Sequence, residues 1–154
     1  MLNILAVLLA RCLLVALFLP FSALDKLLNF GAATDQARQA VSGTVFAQLL
    51  ILAGLSVEII CSAAILTGVS DRLAAFVLGL YCLITALLWK QFWTVPGFHL
   101  RGPDGHRELF WDFLKNFALG GGFLLLAFGT QAGGAAQFFA HPLLSSHPYS
   151  QGSS

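Results

Sequence analysis

The chain has 154 residues, of which 58% are hydrophobic and 10% charged, with 14 Phe and a mean hydropathy of +0.82. A soluble domain of this length carries about a quarter charged residues and has too little interior for so much Leu, Ala and Phe, so the composition excludes it and requires the bilayer as solvent. A net charge of +1 gives no electrostatic case for nucleic acid or polybasic lipid attachment, and the length leaves no room for a separate soluble catalytic domain.

Runs of about twenty apolar residues bounded by polar punctuation predict transmembrane helices over 3–24, 45–67, 73–93 and 110–129. The expected fold is all-α, a four-transmembrane-helix bundle over residues 1–129 with a Gly/Ser/Pro-rich tail over 130–154. The first run has no basic residue ahead of it and is long enough to span, so it reads as an uncleaved helix rather than a secretory signal. Asn29 to Gly43 reads as a polar connection with room for one short interfacial helix. Thr67 to Asp71 makes a tight turn in which Ser70 or Asp71 can cap the third helix. The third loop, from about Thr94 to Leu109, is rich in Gly, Pro and charge. The tail, short of charge, reads as poorly ordered or as a strap for a partner.

Let side A be the membrane face at the N-terminus. Four spans return the C-terminus to side A. Side B then holds Lys26, Arg38, Lys90, Arg101 and Arg107, against Arg72 on side A. The positive-inside rule puts side B in the cytoplasm and both termini in the periplasm.

Five of the fifteen charges fall within the predicted spans, and two of these lie deep: Arg11 and Glu58. A lone charge there costs about 2.5 kcal/mol or more, so each marks a candidate site. By helical rise Arg11 lies about 12 Å, and Glu58 about 14 Å, below side A. Their equal depth on adjacent antiparallel helices predicts an intramembrane Arg11–Glu58 ion pair, either as a lock on helix register or as a ligand or proton site.

Near side B, Asp112, Lys115 and Asn116 share one stripe of the fourth helix, and Asp25 and Lys26 end the first; Asp25 or Asp112 can neutralise Lys115. Trp89, Trp93 and Trp111 stand nearby with several Phe. The rings read as an aromatic belt at headgroup level, or as the mouth of a lateral pocket for a quinone or another amphipathic lipid-like ligand. Such a pocket would comprise Asp25, Lys26, Trp89, Trp93, Trp111, Asp112, Lys115 and Asn116.

No residue stands out as a catalytic nucleophile or base. No His lies within a span to ligate haem, and His99 with His106 matches no metal-ligand spacing. Cys12, Cys61 and Cys82 lie singly in apolar runs and read as inert packing residues. Gly120, Gly121 and Gly122 read as a close helix approach. The chain is therefore expected to bind no metal or cofactor alone, beyond a quinone contact.

Arg11, the phrase from Phe21 to Phe30 (FSALDKLLNF), Glu58, Thr67-Gly68 followed by Arg72, and the phrase from Phe113 to Gly121 (FLKNFALGG) resemble the DoxX family over about residues 8–129. The resemblance implies a small bacterial inner-membrane protein of four helices. Its named members are linked to a thiosulfate:quinone oxidoreductase, and others are proposed to tether superoxide dismutase and a sulfurtransferase. By position it singles out Arg11, Asp25, Lys26, Glu58, Lys115 and Asn116. Some relatives of similar fold carry redox cysteine pairs, which this sequence lacks. The expected function is an accessory or anchoring subunit of a quinone-linked electron-transfer complex, held among membrane lipids by a larger complex that carries the redox cofactors. The competing expectation is a small carrier or binding protein for a lipid-like molecule or weak acid.

Overall fold

The computed structural model describes residues 2–39, 41–99, 105–129 and 132–150. Every element among them is helical: α1 (Leu2–Val15), a distorted segment (Leu17–Ser22), α2 (Ala23–Leu28), α3 (Phe30–Ala37), α4 (Thr44–Thr67), α5 (Asp71–Trp89), a short 3₁₀ turn (Phe92–Thr94), α6 (Gly105–Phe128) and α7 (Gly134–Ala140). Four helical stretches are long and apolar enough to cross a membrane: Leu2–Leu28, Thr44–Thr67, Asp71–Thr94 and Arg107–Phe128.

The first of these is broken. Leu19 leaves helical geometry (φ −120°, ψ 110°) ahead of Pro20, whose ring disfavours the helical region for the residue before it. The Leu19–Pro20 peptide is cis. Beyond the break, α2 and α3 both pack against α4.

α4 and α5 form a hairpin through Gly68 (φ +79°) and Ser70 (φ +48°). Ser70 makes no capping hydrogen bond. Its hydroxyl instead donates to the Leu143 carbonyl at 3.4 Å, and the Asp71 carboxylate faces the tail. α5 and α6 meet at their glycines: a Cβ on Gly79 would stand 3.3 Å from the Gly120 carbonyl oxygen, and one on Gly120 3.1 Å from a Leu83 methyl. Between lipid-solvated helices there is no hydrophobic drive to associate, so such backbone proximity and the van der Waals contact it permits hold the pair. Gly121 meets open space and takes no part.

Phe18, Ile65, Ala75, Leu78, Cys82 and Phe123 lie in the core between these helices. Leu5, Leu9 and Leu13 on α1 and Leu49 and Leu52 on α4 remain exposed. This is the inside-out distribution expected of side chains that face lipid.

The tail packs on its own bundle. Phe138 of α7 is buried against Phe76 and Phe128, and buried Arg72 donates to the carbonyls of Ala127 (2.8 Å) and Gly134 (3.3 Å). Residues 143–149 then cross the side-A end of the hairpin. There the Ser145 hydroxyl donates to Gly68 (2.6 Å) and the Tyr149 hydroxyl to Leu66. These carbonyls close α4, where the helix itself offers no partner.

Candidate functional site

The two deep charges find different partners from those their depth suggests. Arg11 does not pair with Glu58. Its guanidinium donates to the Ile65 carbonyl (2.5 Å), to the Asp71 carboxylate (2.6 Å) and to the Ser146 hydroxyl (2.8 Å), all toward side A. Ser146 also gives Asp71 its backbone N–H (2.8 Å) and its hydroxyl (2.5 Å), and Tyr149 lays its ring 6.0 Å from the guanidinium carbon. The reason is reach: a long side chain rises to the nearest polar surface, so equal Cα depth does not bring two charged ends together.

Glu58 pairs with Lys26 instead. Past the break ahead of Pro20, α2 packs against α4, and the Lys26 ammonium reaches Glu58 there. Ser22 lies one turn before Lys26 on the same face and accepts from its ammonium at 2.9 Å. Tyr81 of α5 donates to Glu58 Oε1 at 2.9 Å, and Ser22 to the same oxygen at 3.2 Å. The tip of Tyr81 fits because position 54 is glycine: a Cβ there would stand 3.1 Å from the phenol oxygen. Glu58 is 1% exposed, and its second oxygen, Oε2, has no hydrogen-bond partner among the described residues.

This cluster is the floor of a pocket of about 630 Å³ between α2, α3, α4 and α5, walled by apolar side chains such as Leu17, Val57 and Ile84. Of the residues expected at a pocket mouth, Asp25, Lys26, Trp89 and Asn116 line it. Trp89 Nε1 is buried without a partner among the described residues. Asp25 accepts from Asn29 (2.8 Å). Trp93, Trp111, Asp112 and Lys115 stand outside the lining. Asp112 bridges Lys90 (3.2 Å) and Lys115 (3.3 Å), so Asp112 rather than Asp25 neutralises Lys115. Trp93 and Trp111, each about half exposed, belong to a ring cluster around Phe92, Phe110 and Phe113. A stripe of residues at helical spacing fixes which side chains share a face, but not which way that face turns.

Ser22, Gly54, Tyr81, Asp71 and Ser146 complete the two clusters, and neither depth nor helical spacing singles them out. Tyr81 carried a usable signal, being a phenol in the middle of an apolar run. Asp71 was disguised as a helix cap and Ser146 as tail. The His106 side chain and Arg101 lie outside the described residues. Cys12, Cys61 and Cys82 are free thiols, the last two buried.

The DoxX family model matches residues 6–91, more than half of the chain. The chain belongs to the DoxX family. The DoxX match covers Arg11, Ser22, Lys26, Glu58, Asp71, Tyr81 and Trp89, that is, the pocket floor and the Arg11–Asp71 pair; α6 and the tail lie beyond it. Among curated proteins and solved structures, nothing matches this DoxX chain. With four apolar helices, it is a small multi-pass membrane protein.

Proposed function

We propose that this DoxX protein is an accessory or anchoring subunit of a quinone-linked electron-transfer complex in a bacterial inner membrane, with both termini periplasmic. The pocket carries the reading. At about 630 Å³ it has the size of small-molecule sites, and like them it combines apolar walls with a few convergent polar groups. A quinone head would lie between α2 and α5 above Lys26 and Glu58, with its isoprenoid chain among the apolar walls. The redox cofactors would belong to a partner complex, for which the half-exposed rings of Trp93 and Trp111 offer contact surface.

Extraction in a mild detergent followed by native mass spectrometry tests this. The expected particle contains cofactor-bearing subunits together with a bound quinone. A lone chain without either overturns the proposal.

A second reading, a carrier or binding protein for a lipid-like molecule or weak acid, is favoured by one observation: the bundle holds two separate buried charge pairs, Lys26–Glu58 under the pocket and Arg11–Asp71 toward side A. Substrate uptake into liposomes that contain only this chain would select it.

A further inference from the structure

The hydrogen-bonding capacity of the pocket floor has a direction. Lys26 has three N–H donors, and they point to Glu58 Oε1, to the Ser22 hydroxyl at 2.9 Å and to the Tyr81 hydroxyl at 3.4 Å. The Ser22 and Tyr81 hydroxyl protons are both directed to Glu58 Oε1. Every donor of the cluster is thus engaged within the cluster. What it leaves over is an acceptor: Glu58 Oε2, buried and without a partner among the described residues. An unpartnered carboxylate oxygen in a low-dielectric site is costly, and a charge-assisted O–H···O⁻ bond is the strongest remedy. Glu58 lines the pocket, so a hydroxyl-bearing ligand seated there can supply the donor that the described residues do not. The wall has the opposite polarity. Trp89 Nε1 is a donor without a partner among the described residues, eight residues beyond Tyr81 and so about 12 Å of helix nearer side B.

Resting on the quinone reading above, we propose that the pocket selects the hydroxyl-bearing form of its ligand: a hydroquinone, or another amphipathic molecule with a phenol-type head, that donates its O–H to Glu58. A carbonyl-only head finds no free donor among the described residues of the floor, where Lys26 is already saturated; the donors left to it, Trp89 Nε1 and Lys90, stand at the other end of the lining, eight and nine residues beyond Tyr81. The selection is one of binding alone.

Isothermal titration calorimetry on the full chain in detergent, under argon, tests this with three matched probes: a one-isoprene ubiquinol, the corresponding ubiquinone, and the quinol's dimethyl ether. The quinol is expected to bind about tenfold or more tighter than either of the others, the size of effect set by one hydrogen bond to a charged group. Glu58→Gln exchanges the free acceptor for an N–H donor, and is expected to abolish or invert the preference. Should that variant fail to fold, the dimethyl ether decides the question on the unaltered chain. Equal or tighter binding of the quinone or the ether overturns the inference and leaves the quinone pocket standing. Binding of none of the three overturns both.

Discussion

Glu58 carries a carboxylate through the middle of a span, and the structure keeps it there by surrounding one oxygen with Lys26, Ser22 and Tyr81. Removing one partner of a buried pair leaves the other uncompensated and costs about 3–5 kcal/mol, so pairing is measurable by coupling. Lys26→Met and Glu58→Gln should couple by about 1–3 kcal/mol in a double-mutant cycle, as should Arg11→Met and Asp71→Asn. Arg11→Met and Glu58→Gln share no partner and should add within about 0.5 kcal/mol. Thermal unfolding in detergent, followed through the thiols of buried Cys61 and Cys82 in a Cys12→Ser background, measures all three cycles. Appreciable coupling between Arg11 and Glu58 would contradict the partners described here. At this scale the sequence made depth legible and left pairing illegible. Rise per residue locates a Cα, but the direction a long side chain takes depends on which polar surface lies within its reach.

Among the elements, two features decide how the bundle holds together. α5 and α6 approach at Gly79 and Gly120, where a Cβ would press on backbone. Gly120→Ala should lower stability by about 1–3 kcal/mol, as overpacking does, while Gly121→Ala, pointing into open space, should be neutral or slightly stabilising. Equal melting temperatures for the two variants would refute the close approach. The other feature is the strap. Ser146→Ala removes one donor to a carboxylate that is 0% exposed and should cost about 1–3 kcal/mol, against a negligible effect of Ser150→Ala, whose hydroxyl bonds only to His147. The glycine run was readable from sequence because small residues in a span have few other uses. The strap was not: its Ser, Pro and Tyr carry neither charge nor period, and what they bind is the end of a helix rather than a pattern in themselves.

For the whole molecule, four crossings place the two ends of the bundle chain on one face. With both termini periplasmic, as proposed above, alkaline phosphatase fused after residue 150 should be active, and the same reporter inserted near Gln39, in the connection on the opposite face, should be inactive. Activity at both positions would contradict the four-span path. The hydropathy of the chain made this path legible from the start, since twenty apolar residues have few alternatives to a span. The pocket was legible only in part. Asp25, Lys26, Trp89 and Asn116 line it, while Trp93, Trp111 and Lys115 do not, because the packing of α2 and α3 against α4 beyond Leu19 and Pro20 sets where the cavity lies.

The hydrogen bond from Arg11 to Ser146 joins positions 135 residues apart. At bacterial or eukaryotic elongation rates of about 5–20 residues per second, Arg11 waits on the order of ten seconds in a nascent chain before that partner exists. Until then Asp71 lacks two of its three donors, both of which come from Ser146. A chain that stops short of position 146 therefore leaves Asp71 with Arg11 as its one remaining donor among the described residues, so the last turn of the strap completes a site begun in the first helix.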